Sequence, residues 1–444
     1  MRARGLRRAL ADRPLLAAAG LALAATLVRL IVLSQSRWDL GQDEAQYWWW
    51  SEHLAWGYFT KPPLIAGLVK VSTVLFGSGE FGVRALSAAC HAGSAVVLAG
   101  LAKALFDART AVLAAAVWLT LPAVAVSSGL ATTDAPLLFF WSLALLFAHE
   151  ALASARPPAL AGAALGAAFG LGFLAKYAMI YFAGGLVLVL VLIPDRRPRA
   201  LAALAAAAPV ALALAAPNVL WNMENGYSTL AHTAANADWG AERFNPGTLA
   251  AFALSQFAVA GPVAGAALVW AAATWRRRLA EVADPEARAR LVFLAAFVAP
   301  PLLAVSVQAF ISRANANWAA AAYPAAAVLV AWLIGRPGRR ALLVAVLGVN
   351  GAACLAVAAA ALAPGLAARF GAPGALAEVS GWREQARAIA AYTEGYDVVL
   401  ADDRGVMSAL LYYAPNLPAP VRAWDPNRCP DQHYEAFLAY EPRP

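Results

Sequence analysis

Apolar runs of about twenty residues, long enough to cross the hydrocarbon core of a bilayer, recur along this chain and are parted by short arginine-bearing segments. Read as spans, they predict about eleven transmembrane helices. The first runs from Leu15 to Leu33, the second from Val83 to Leu105, and the next two from Ala111 to Val126 and from Leu137 to Ala151. Between Arg156 and Asp195 the apolar stretch is too long for one crossing and holds a single charge, Lys176. It reads as two short helices turning at that lysine. Later spans end near Leu220, return to Arg276, end at Phe310, start at Trp318 and end near Leu362. Leu64 to Phe76 reads as a re-entrant or interfacial stretch. From Pro364 the pattern turns mixed polar, predicting helix over Ala386–Tyr392, a short buried strand over Asp397–Ala401 and helix over Val406–Tyr413. The expected fold is mainly α: a polytopic membrane domain over residues 1–363, with a first outer loop at 37–80, then a small α/β domain over 364–444.

Composition sharpens this class. Of 444 residues, 62% are hydrophobic and only 14% charged, where a soluble domain carries about a quarter. The net charge of +8 gathers as arginines in short loops and not on a basic polar face. That is the positive-inside pattern, and it argues against nucleic acid as a partner. Arg2, Arg4, Arg7, Arg8 and Arg13 precede the first span and assign its start to the cytoplasm. This basic start imitates a signal peptide, but the length of the apolar run and the spans that follow it favour an uncleaved helix. An odd number of spans then places the C-terminal domain outside. Cys90 and Cys354 sit in apolar runs and Cys429 stands alone, so no disulfide framework is indicated. The five histidines show no metal-ligand spacing, and no phosphate-binding glycine motif is present. The alanine-rich tracts at Leu201–Ala216 and Ala356–Ala363 read as compositional bias.

Chemistry concentrates in DLGQDEAQYWWWSEHLAWGYFTKPPL, residues 39–64. Asp43 and Glu44 are adjacent, so on a helix they point about 100° apart and cannot act as a carboxylate pair on one face. One is expected to face a cavity while the other caps a helix or meets a cation. Tyr47, Trp48, Trp49, Trp50, Trp56 and Tyr58 suit an interfacial belt at headgroup depth. Lys61 stands on a chain stiffened by Pro62 and Pro63; it either snorkels or holds a lipid phosphate. Other outer-loop charges run against the positive-inside preference and ask for an explanation: Arg37, Lys70, Arg84, Lys176, Arg243 and Arg313. Lys176 is a charge in apolar surroundings, a functional-site hypothesis by default, and Arg313 lies in a short turn where a guanidinium could hold phosphate. Arg29, near the outer end of the first span, either joins them or pairs with an acid. Asp134, in Thr132-Thr133-Asp134-Ala135-Pro136, is either a helix cap or part of the site.

In order along the chain, Asp43-Glu44, YFTKPPL, TTDAP, GFLAKY and SRANANWAAAAYP resemble the GT-C membrane glycosyltransferases, specifically the family of protein O-mannosyltransferases and the aminoarabinose transferase of lipid A. The resemblance implies a polyprenyl-phosphate monosaccharide as donor and catalysis at the periplasmic side of a bacterial inner membrane. It implies Asp43 as catalytic base with Glu44 beside it, Lys61 at the donor phosphate and Asp134 as the acid of the second outer loop. By residue type, Arg313 and Lys176 are expected to support Lys61 at the phosphate, and Tyr58 and Tyr47 to join Asp134 at the substrate. Family members of the aminoarabinose type carry Glu before the KPP lysine; Thr60 stands here, which leaves a metal site using that acid unsupported. Lipid A, lipopolysaccharide core or another glycan is the favoured acceptor. A protein acceptor is the alternative, as is a transporter or flippase of a lipid-linked sugar. A transporter would place its charges near the bilayer midplane within repeated halves, and no such repeat is evident.

Overall fold

The computed structural model describes residues 13–153, 157–238, 244–369 and 373–441. Arg2, Arg4, Arg7, Arg8, Arg156 and Arg243 lie outside the described residues. Helices α1 (Pro14–Ser34), α2 (Gln42–Glu52), α3 (Leu64–Phe76), α4 (Glu80–Leu105), α5 (Ala108–Thr120), α6 (Asp134–Leu152), α7 (Pro158–Ala175), α8 (Tyr181–Leu192) and α9 (Arg197–Glu224) come first. They are followed by α10 (Ser228–Ala237), α11 (Pro246–Ala260), α12 (Pro262–Ala273), α13 (Pro285–Ile311), α14 (Tyr323–Gly335) and α15 (Arg340–Leu362). Among the described residues, 8 helices are long and apolar enough to cross a membrane, or 9 if α11 and α12, bent by 118°, form one span. The chain is a mainly helical, multi-pass membrane protein. The expected number of about eleven exceeds this because α5 and the Tyr177–Leu192 segment, both counted as spans in the sequence, are shorter apolar helices.

Between membrane helices there is little hydrophobic drive, so small residues and buried polar contacts set the packing. Gly162 and Gly166 of α7 lie flat on α9, where an added Cβ would come within 2.2 Å of the Ala203 and Ala207 carbonyl oxygens. The alanine tract over 201–216 is therefore a close-packing surface, which composition alone did not reveal. The α11–α12 bend is held by Asn350, wholly buried on α15, which donates to the Ala260 carbonyl at 3.1 Å. A break inside a membrane frees backbone groups that need such a partner. Gly261 supplies the φ of +84°, and a side chain there would strike Asn350.

The arginine loops meet at one end of the bundle. Arg196 pairs with Glu286 at 2.6 Å and donates to the Leu152 carbonyl, while Arg290 donates to the Leu105 carbonyl at 2.9 Å. Leu105 and Leu152 close α4 and α6, whose opposite ends carry Arg84 and Asp134. At 1.5 Å per residue these ends are about 30 Å apart, the thickness of a bilayer core.

The C-terminal region holds α16 (Trp382–Ala390), β1 (Val399–Ala401), α17 (Arg404–Tyr413), β2 (Val421–Ala423) and α18 (His433–Leu438). The strands pair in parallel, Val399 opposite Val421, with α17 as the crossover. This region clasps the 39–80 segment: the Leu40 N–H donates to Tyr413 Oη at 2.7 Å, Tyr412 Oη donates to the Ser78 carbonyl, and Arg383 pairs with Asp39 and Glu80. The aromatic cluster expected as a lipid belt serves mostly this contact. Trp50 and Tyr58 are buried and stacked at 4.3 Å, and His433 of α18 packs edge-on against them. Of the six aromatics, Trp56 stays open, at 60% exposure. Rings of this size find more contact area against one another than at a headgroup surface.

Candidate active site

Gly41 caps helix α2, whose first turn carries both acids, where the helix dipole favours negative charge. They separate as helical geometry requires. Glu44 turns inward and uses both oxygens: Oε1 accepts from Arg84 Nε at 2.7 Å and from the Ala131 N–H at 2.7 Å. Its Oε2 accepts from Arg84 Nη2 at 2.5 Å and from the Gly41 N–H at 3.1 Å. The Gly41 bond is half of a capping box. Arg84 also donates to the Trp38 and Asp39 carbonyls and is fully buried, which accounts for its unexpected charge. With only 4% exposure, Glu44 is a joint between α2, α4 and the turn before α6.

Asp43 faces open space. Its side chain keeps 48% of its surface accessible while protein surrounds it, as befits a group lining a cleft. Arg404, the first residue of α17, donates from Nη1 to Asp43 Oδ1 at 2.7 Å and to Gln46 Oε1 at 3.1 Å. Tyr47 Oη, one turn further along α2, donates to Asp43 Oδ2 at 3.4 Å. Burial pushes the Asp43 carboxyl up, but Arg404 and Lys61 outweigh it and hold the group below the usual carboxylate range. Lys61 is fixed by a turn in which the Tyr58 N–H donates to its carbonyl at 3.1 Å, and Thr229 and Asn218 bond the Tyr58 and Trp56 carbonyls. Its ammonium has no hydrogen bond or ion pair among the described residues. Burial pushes it below the usual lysine value, with Asp43 opposing and Lys176 and Arg404 adding to the shift.

On the same side of the bundle, Asp134 Oδ1 pairs with Lys176 at 2.7 Å and its Oδ2 accepts from Asn317 at 2.8 Å. Lys176 stands at the break between α7 and α8. Three motifs separated in sequence thus converge on one carboxylate, and Lys61 lies within electrostatic reach of it. Two residues named from the sequence make other contacts. Arg313 is 59% exposed and meets Asp238 at 4.0 Å and the Asn236 carbonyl. Tyr58 is buried, its hydroxyl held by the Trp50 and His53 carbonyls and the Ala55 N–H, and burial raises its pKa to about 12. Among the described residues, no three His, Cys, Asp or Glu gather where a metal could bind.

The family profile of the dolichyl-phosphate-mannose-protein mannosyltransferases matches residues 60–221, which take in Lys61, Asp134 and Lys176. Lipid A galacturonosyltransferase RgtD of Rhizobium johnstonii is 33% identical over 417 residues, 93% of this chain and 86% of its own length. This chain belongs to the GT-C membrane glycosyltransferases of that family. The crystal structure of ArnT from Cupriavidus metallidurans bound to undecaprenyl phosphate shares the GT-C fold, with a TM-score of 0.64 and 18% identity over 92% of this chain and 86% of ArnT. The resemblance read from the motifs is borne out, and the chain is a glycosyltransferase.

Within this GT-C site, sequence reasoning missed Arg404 and Gln46. Arg404 sits in a polar region where arginine is unremarkable, so no charge anomaly marked it. The one signal was Asp403, whose side chain accepts from the Val406 N–H and caps α17, fixing the residue that follows it.

Proposed function

We propose that this glycosyltransferase moves one uronic-acid sugar from a polyprenyl-phosphate donor to lipid A or lipopolysaccharide core. The observation that carries the reading is an accessible Asp43 carboxylate, held below the usual carboxylate range by Arg404 and Lys61, with a Lys61 ammonium that has no partner among the described residues. In this mechanism the acceptor hydroxyl attacks the anomeric carbon as its proton passes to Asp43. The carbon–oxygen bond to the phosphate breaks, and polyprenyl phosphate departs as an anion without needing an acid. Lys61 neutralises the charge growing on the phosphate, and Lys176 orients Asp134 at the substrate. Attack opposite the leaving group inverts the anomeric centre. The acceptor and the sugar follow RgtD, whose name specifies lipid A and galacturonosyl transfer.

The membrane arrangement follows from the same reading. Counting α5, α8 and the bent α11–α12 pair gives eleven spans, with the arginine loops in the cytoplasm and the Asp43 cleft and the 364–444 domain at the periplasmic face of a bacterial inner membrane. Lipid A extracted from cells with and without the chain tests the function directly: mass spectrometry should show one added uronic acid. A lipid A that is unchanged, alongside a newly glycosylated protein, would favour the protein-acceptor alternative.

Two further outcomes follow. Lys61→Gln should lower kcat/KM for the donor about 10–100-fold, the equivalent of one lost charged contact of about 1.5–3 kcal/mol. Steady-state kinetics in vesicles measure it, and unchanged donor kinetics would remove Lys61 from the phosphate. In the pH profile of kcat/KM, activity should persist as pH falls until Asp43 protonates, below the usual carboxylate value. It should decline at high pH as Lys61 loses its proton, below the usual lysine value. An acid limb above the ordinary carboxylate range would mean that Arg404 and Lys61 do not hold Asp43 ionised in the free enzyme.

A further inference from the structure

We propose that Arg404 reads the carboxylate of the donor sugar and so sets the selectivity of this enzyme for an acidic donor. The inference rests on the uronic-acid reading above and assigns it to one side chain. Arg404 spends only Nη1 on Asp43 and Gln46. Its Nε and Nη2 make no hydrogen bond among the described residues. Neither atom is enclosed, since the side chain is 26% exposed and neither is among the buried unpartnered atoms. A guanidinium with one end held and its Nε–Nη2 edge open presents two parallel N–H donors, the geometry that grips a carboxylate bidentately.

Its place in the site selects the ligand. The guanidinium touches the carboxylate that would take the proton from the attacking hydroxyl, so its open edge lies beside the reacting sugar. In a hexuronic acid the carboxylate hangs from the ring carbon next to the ring oxygen, and that oxygen is bonded to the anomeric carbon. Asp134 is matched by Lys176, which leaves Lys61 for the single charge of the donor phosphate. A neutral sugar would leave the open edge merely hydrated, and an amino sugar would meet two cations without an acid at position 60, where Thr60 stands. A uronate fills the open edge.

The same fork also fits phosphate, so the test must separate the two anions. Full-length protein in vesicles is given undecaprenyl-phosphate galacturonate or the matching undecaprenyl-phosphate galactose, which differ only in carboxylate against hydroxymethyl. The wild type should prefer the uronosyl donor. Arg404→Gln should lower its kcat/KM for that donor about 10–100-fold, as expected for a lost charged hydrogen bond. Because Arg404 also holds Asp43, the galactosyl rate should fall too, but by less, so that the ratio of uronosyl to galactosyl kcat/KM drops about tenfold. Arg404→Lys, which keeps the charge, should recover part of the preference. An equal fall for both donors would overturn the assignment, placing Arg404 at the phosphate or in support of Asp43. So would a shifted acid limb with unchanged selectivity, the mark of a residue that only tunes Asp43. If wild type uses the uronosyl donor and Arg404→Gln and Arg404→Lys keep its preference, the assignment to Arg404 alone fails. If wild type uses only the galactosyl donor, the acidic-sugar reading fails with it, while glycosyl transfer stands.

Discussion

Asp43→Asn is expected to give a protein that inserts, folds and binds donor yet transfers sugar about 10²–10⁴-fold more slowly, the usual worth of a general base. The substitution changes little else. Asparagine keeps an oxygen for Arg404, and its Nδ2 can donate to the Tyr47 hydroxyl in place of accepting from it. Helix α2 is secured by Glu44 and not by Asp43, and half of the Asp43 side chain already faces open space. The loss should fall on kcat with the donor KM nearly preserved, because Lys61 and the turn that holds it are untouched. Single-turnover transfer with vesicle-bound donor measures it. Retention of full activity would remove Asp43 as the base. A loss confined to KM would make it a binding residue.

The second large effect is structural. Glu44→Gln or Arg84→Met should destabilise the protein by about 3–5 kcal/mol, because either change leaves one charge buried without its partner. The damage should spread, since Glu44 also receives the Ala131 N–H and so ties α2 to the turn that delivers Asp134. Thermal unfolding in detergent, read beside transfer activity, separates two roles for Glu44. A variant that melts early and regains activity on cooling or with bound donor has lost a joint. One that melts within about 1 kcal/mol of wild type but does not transfer would show that Glu44 takes part in the chemistry.

Much of this was legible in the sequence. Apolar length marked the long spans, and the lone Lys176 marked the break between α7 and α8, because a charge amid such residues has few places to go. The adjacency of Asp43 and Glu44 forced their division of labour through helical geometry alone. The strand and the two helices expected after Pro364 are present over Val399–Ala401, Trp382–Ala390 and Arg404–Tyr413. Other features left no trace at the level of pattern. The α11–α12 bend depends on Asn350, about ninety residues away, and the burial of Trp50 and Tyr58 depends on His433. Such partners are brought together by tertiary packing, and a local window cannot see them. Arg313, singled out by its anomalous charge, meets Asp238 of the 228–238 segment at 4.0 Å, another partner that no local window shows.

The Asp43–Arg404 contact joins residues 361 positions apart. Local contacts form early, and a closure of this length forms late. The chain emerges from the ribosome from its first residue onward, so the membrane helices and the Lys61 turn exist before Arg404 has been made. Until then Asp43 has Lys61 but not Arg404 beside it and the cleft lacks its clasp. The arrangement around Asp43 is completed only once the 364–444 region has been made and has folded onto the 39–80 segment.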